Sequence, residues 1–316
     1  MKPPRPSAIV TLANRTLNAS EAGLTSLRVM LSRGSHDAVE MMFWPLTKFS
    51  SASPGDAVSV QLGFRDQEED VWSGEVTTVE HTANALVITG HAPTAALSRE
   101  RKSQTYVAQT VADIVRDLAA SVDIDKVDAD TDLSYYAVDH RRSVWGHLLD
   151  LADLSGSEIT CSAGGGLRFL AVNPLPSSTR FRYGAELLSW RSASVAQGTG
   201  RTFAAHGSAS EAGSAKWHWV HPDPTGGAGG RQVIGAFHSR ALAEALSTAA
   251  ANSVKRAGVG GEVELVGQAA LRAGDVFSLA DLASGDPGPL RALAVTHAVD
   301  GVRGFRTVVS VEGAGA

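Results

Sequence analysis

His218 and His221, three residues apart and followed by Asp223, are the side chains in this sequence best spaced for chemistry. Two neutral imidazoles and a carboxylate could hold a metal ion and activate water, which would make the chain a metal-dependent hydrolase. The frame argues against it. Pro222 and Pro224 flank the carboxylate and a glycine-rich run follows to Gly230, so three ligands would not be held rigidly. Asp123, Asp125, Asp128, Asp130 and Asp132 are spaced like the acidic half of a calcium loop. The glycine for the sharp turn and the closing glutamate are missing. Gly164-Gly165-Gly166 leads into the strand-like Leu167–Leu170, whereas a phosphate cradle needs a helix N-terminus. No Gly-x-Ser-x-Gly elbow is present, and Ser155-Gly156-Ser157 follows a helical stretch instead of opening one. The expectation is therefore no catalytic residue, no cofactor and no metal site. The lone Cys161 cannot form an internal disulfide and reads as a small buried apolar residue.

The elements around these residues are mostly strands. Alternating runs such as Ser26–Leu31, Ala57–Leu62 and Leu86–Ile88 are separated by turn residues at Asn18, Gly34, Pro54-Gly55-Asp56 and Asn84. Gln67–Asp70 reads as an acidic hairpin tip. The pattern changes near residue 105. Thr110 and Asp113 have capping-box form, and Val111, Ile114, Val115, Leu118 and Ala119 share one helical face. A second helix is predicted from Val144 to Ser155, with Ser143 as N-cap and Gly156 in the left-handed C-terminal position. Strands Glu158–Cys161 and Leu167–Leu170 follow. Beyond Pro174 the chain returns to β character. The His221–Gly230 stretch reads as a loop, and a third helix is predicted over about Ser239–Ala257.

The two β-rich parts echo each other. Pro54-Gly55-Asp56 leads into Ala57–Val60, and Ala273-Gly274-Asp275 leads into Val276–Leu279. A second strand then ends in histidine in both parts, Val76–His81 and Leu293–His297. A third closes each unit, Ala85–Gly90 against Phe305–Ser310. The matched order predicts a duplication, with Gly55, Asp56, Gly274 and Asp275 as structural turns and His81 and His297 capping strand ends or meeting a neighbour. The expected fold is mainly β with an α+β insert: two related β-barrel-like domains, residues 1–102 and 174–316, flanking a small α+β domain, residues 103–173. Three such chains would present six similar domains, enough for a pseudo-six-fold ring built from one repeated contact.

Leu265–Leu279, Ala294-Val-Thr-His297 and Gly304-Phe-Arg-Thr307, together with Gln104-Thr-Tyr106 and Trp145-x-x-Leu148-Leu149-x-Leu-Ala152, resemble the late control protein D family of phage tails. That family is similar to the N-terminal hub part of the VgrG spike proteins. The resemblance covers most of residues 54–312. It implies a homotrimeric baseplate hub, in a phage tail or a contractile injection system, whose two tube domains per chain build a pseudo-hexameric torus. The torus adapts a six-fold tail tube to a three-fold spike. It further implies the spike protein, the tail tube protein and other baseplate proteins as partners, with the tape measure a further candidate. Assembly would take place in the bacterial cytoplasm. The sequence stops soon after the second β unit, so the spike is expected to be a separate polypeptide.

Composition narrows the remaining classes. A net charge of -5 offers no basic excess for phosphates, so nucleic acid is not expected as a partner. No apolar run approaches about 20 residues, so no membrane partner is expected. The Met-Lys-Pro-Pro-Arg-Pro start has no apolar stretch behind it and does not read as a secretory signal. A glycan- or peptidoglycan-binding module in residues 103–173 is the other reading, and it requires Tyr106, Tyr135, Tyr136 and Trp145 to be exposed.

Overall fold

The computed structural model describes residues 5–172, 179–194, 203–208, 218–221, 231–233 and 256–314, with Ala249, Asn252 and Ser253. The predicted third helix and the loop after His221 lie largely or wholly outside the described residues. The chain is mainly β, as the alternation predicts.

The first unit contains β1 (Pro6–Leu12), β2 (Arg15–Asn18), α1 (Ala19–Ala22), β3 (Leu24–Ser32), β4 (Ala38–Phe43), β5 (Ala57–Phe64), β6 (Gln67–His81) and β7 (Leu86–His91). Every second residue of β3, from Leu27 to Leu31, is buried, and so is every second residue of β4. That period places one face of each strand on the core. A full capping box is present on α1: Asn18 accepts from the Glu21 N–H, and Glu21 accepts from the Asn18 N–H. Gln67–Asp70 is not the hairpin tip. It forms the first four residues of β6, of which Glu68 is half-buried, and the turn is at Arg65-Asp66.

The insert contains β8 (Gln104–Thr110), α2 (Val111–Leu118), β9 (Ile124–Asp128), β10 (Asp132–Val138), α3 (Val144–Ser155), β11 (Ser157–Cys161) and β12 (Leu167–Ala171). Ser143 accepts from the Gly146 N–H, and Gly156 closes α3 at φ 65°, as predicted. Thr110 caps α2 through the Asp113 N–H, but the Asp113 carboxylate takes the Thr110 hydroxyl and Arg116 instead of completing a capping box. The insert has its own core, in which Val111, Ile114 and Leu118 meet Leu148, Leu151 and Phe169.

The last part contains β13 (Arg180–Arg182), β14 (Leu187–Ser194), β15 (Phe203–Ser208), β16 (His218–His221), β17 (Arg231–Val233), β18 (Val259–Val266), β19 (Val276–Ala280), β20 (Pro289–Asp300) and β21 (Gly304–Gly313). Strands β15, β16 and β17 form a separate small sheet. The rest wrap around one core. Neighbours run β14-β18-β21-β20-β19-β13, and a bridge between Tyr183 and Leu187 returns β13 to β14. The two β units are not separate bodies. β20 pairs with β3 over Ala294–Asp300 and Ser32–Ser26, and one continuous core runs through both.

Candidate functional site

The two Gly-Asp turns have matching backbone geometry and hydrogen bonds. Gly55 has φ 93° and Gly274 has φ 94°, a region that a side chain disfavours. Gly55 N–H donates to Val76 O at 2.8 Å, and Gly274 N–H donates to Ala292 O at 2.9 Å. Val76 N–H returns to Asp56 O and Ala292 N–H to Asp275 O, at 2.9 and 2.8 Å. Each aspartate carboxylate then accepts the N–H three residues back, from Ser53 and from Arg272, both at 2.8 Å. Each glycine allows the turn, and each carboxylate satisfies an N–H that the turn leaves free.

From these corners the ladders match in register. β6 and β7 shift register between Val76 and Thr78, and β20 and β21 shift between Ala292 and Ala294. Beyond the bulges, Val79 and His81 pair with Ile88 and Leu86, while Val295 and His297 pair with Val309 and Thr307. His81 and His297 are thus equivalent. Leu86 corresponds to Thr307, one residue away from the match of Ala85 with Phe305.

The equivalence extends to strands that the sequence reading left out. β4 lies beside β7 as β18 lies beside β21, with Met41 and Val263 in the same place. β3 lies beside β4 as β14 lies beside β18, and both pairs shift register one residue from the start, after Leu24 and after Leu187. The signal was present: Leu24-Thr-Ser26-Leu-Arg28 against Leu187-Leu-Ser189-Trp-Arg191, and Glu40 against Glu262.

The two histidines have different surroundings. His297 is fully buried in the middle of β20 and does not cap a strand, which corrects that part of the expectation. Its Nδ1 meets the Thr307 hydroxyl and its Nε2 meets Leu271 O, both at 3.0 Å. Burial pulls its pKa down to about 4. His81 ends β6 and is exposed.

The insert is fastened to both units by buried charge. Glu158 on β11 hydrogen-bonds Arg291 on β20, and both are buried. Arg33, just after β3, lies 3.8 Å from Glu158 and 3.0 Å from Glu312 on β21. Arg272, in the second Gly-Asp turn, reaches Val71 O at 3.0 Å and Cys161 O at 3.4 Å, and so touches all three parts. Asp37, 4.0 Å from Arg272, is pushed up to about 7 by burial. Burial pushes the Cys161 thiol up to about 12, so it stays protonated.

Tyr106 and Trp145 are buried, Tyr136 is half-buried, and only Tyr135 of the four is exposed. Trp145 packs on His36 of the first unit, with ring centroids 4.1 Å apart. Trp145 thus fastens the insert, Tyr106 and Tyr136 bond within it, and the four rings do not form the exposed platform that a glycan-binding module requires. Among the described residues no group of three or more His, Cys, Asp or Glu side chains is placed to hold a metal. Asp223 and the side chains of His218 and His221 lie outside the described residues. No helix among the described residues is long and apolar enough to cross a membrane.

Three comparisons bear on this geometry. Residues 27–207, more than half of the chain, match the family model described as the Alg8 N-terminal domain. A search of curated protein sequences finds no match. Among solved structures, a tail protein from Neisseria meningitidis superposes with a TM-score of 0.76 at 13% identity, covering 98% of this chain and 96% of its own. A 43 kDa tail protein of a Shewanella oneidensis prophage gives 0.75 at 14% identity, covering 98% of both chains. An Escherichia coli component of the type VI secretion system gives 0.61 at 9% identity, covering 91% of this chain and 73% of its own. At these identities the likeness is one of fold.

Proposed function

The chain belongs to the Alg8 N-terminal domain family, and from its internal duplication we propose that it is a structural baseplate hub of a phage tail or contractile injection system. In this reading the chain is a hub of the late control protein D kind, not an enzyme. Three copies close into a pseudo-hexameric ring that adapts a six-fold tail tube to a three-fold spike. Residues 1–102 and 174–316 are the two tube domains, and residues 103–173 are the insert that braces them.

One observation carries the reading: two units with the same order over five strands, matching register shifts at Thr77 and Leu293 and the same Gly-Asp corners are joined edge to edge within one chain. A ring needs one contact repeated around an axis. A chain with two equivalent units already contains one such contact and needs only its repetition to close. The fold shared with tail proteins over nearly the whole chain supports the setting. The partners in this reading are the tube protein, the spike protein and other baseplate proteins. Leu46, Trp44 and Val302 are exposed at one common end of the strands, after β4 and in the β20–β21 turn, and suit one of those faces.

Mass photometry tests this directly. The expected particle has three times the chain mass of 32.9 kDa. A strictly monomeric protein, both alone and with its spike partner, would overturn the reading.

A further inference from the structure

We propose that the ring closes through a specific strand pairing between copies of this chain: β6 of one copy beside β14 of the next, antiparallel, with His81 opposite Ser192. This rests on the hub reading and specifies its contact.

The template is the seam already inside the chain. β20 leaves β19 after Arg291, and its remaining edge pairs with β3, with His297 opposite Val29 and Val295 opposite Leu31. Arg33 N–H donates to Leu293 O at 3.0 Å, which makes His297–Val29 a hydrogen-bonded pair in the alternation. The equivalent of β20 is β6, and the equivalent of β3 is β14. β6 leaves β5 after Glu75, just as β20 leaves β19. Among the described residues nothing pairs with β6 on that side from Val79 to His81. The outer edge of β14 likewise has no partner strand over Ser189–Ser194 among the described residues. Transferring the register places His81 opposite Ser192 and Val79 opposite Ser194.

Burial points the same way. Val295 and His297 are fully buried, yet their equivalents are half-buried Val79 and exposed His81. Leu27 and Val29 are buried, yet their equivalents are half-buried Trp190 and exposed Ser192. The same positions are covered at the internal seam and uncovered at the two free edges. A head-to-tail copy supplies the missing cover and satisfies the open backbone groups of both edges. One such edge of each kind among the described residues lets the contact propagate, and three copies close it.

Cysteine cross-linking tests the register. A hydrogen-bonded antiparallel pair has Cα atoms about 5.5 Å apart, within the range a disulfide accepts. The His81→Cys/Ser192→Cys double variant, oxidised at low concentration, is expected to give covalent species that stop at three chains. Each single variant should give none through this pair, since the native Cys161 is buried. His81→Cys/Arg191→Cys, slipped by one residue, points its side chains to opposite faces and is expected not to link. A particle that mass photometry shows to be trimeric, but that links in neither double variant or better in the slipped one, overturns this pairing and leaves the hub reading standing. A monomer that never links overturns both.

Discussion

The two Gly-Asp corners form a matched pair inside one molecule, and alanine at each separates backbone strain from the buried charge beneath one of them. Gly55 and Gly274 have the same φ to within a degree. A Cβ on Gly55 meets nothing within 4 Å, so Gly55→Ala carries only the cost of a side chain in that region, about 1–3 kcal/mol. A Cβ on Gly274 falls 2.9 Å from Glu158 Oε1. Glu158 cannot yield freely, because it is buried and bonded to buried Arg291. Gly274→Ala therefore adds a share of the roughly 3–5 kcal/mol lost when a buried pair is broken. The expected difference between the variants is about 2 kcal/mol or more, read from urea midpoints by tryptophan fluorescence at a shared m value. Because both changes act on one contact, Glu158→Gln and Gly274→Ala should be non-additive in combination. Equal losses at the two glycines, or a larger loss at Gly55, would refute this account of the insert's attachment.

Arg291→Met alone should cost about 3–5 kcal/mol by leaving Glu158 buried without its closest cation, whereas Glu158→Met/Arg291→Met should recover most of that loss in the same unfolding assay. Acid should weaken the fold through His36 and His297, whose pKa values burial lowers to about 4. The unfolded chain takes up those protons first, so this stabilisation is full above pH 6.5 and is lost as pH falls toward 4. Asp37 acts in the opposite direction: raised to about 7, it favours the fold most below its unfolded pKa and loses that contribution as pH rises through 7. Asp37→Asn should therefore steepen the loss of stability between pH 6.5 and 4, and an unchanged slope in urea midpoints across that window would count against the assignment.

What could be read from the sequence was whatever a turn forces on residue type. A backbone at φ near 93° selects glycine, and a carboxylate one residue later binds a free N–H, so the two corners stood out in the text of the chain. The caps of α3 were legible for the same reason, because Ser143 and Gly156 do jobs that few residues do. Register was less legible. The second strand and turn after the two histidines differ in length, with Thr82–Ala85 directly after His81 against a turn only after Asp300, and this displaced the match of the third strands by one position. The β20–β3 seam was not legible at all, since nothing in an alternating strand names its neighbour. The buried Glu158–Arg291 pair was hidden because charged residues in strands ordinarily face water.

The two edges that meet in the internal seam and the two that stay open differ in a physically telling way. Val29 in β3 is replaced by Ser192 in β14, and Leu27 by Trp190. The internal seam forms as the chain folds, and the positions it covers, Leu27, Val29 and Val295, are buried and apolar. In the proposed ring, the edges left without a partner strand among the described residues exist in solution before assembly, where a long apolar edge would recruit any strand it met. Serine, exposed Arg191 and exposed Glu80 make these edges poor general templates, and half-buried Trp190 leaves one large apolar surface that the proposed pairing would cover. The proposed contact, with that composition, would be weaker than its internal counterpart and more dependent on correct register. In the proposed ring, a chain duplicated in this way would be stable before assembly and still able to close with its copies.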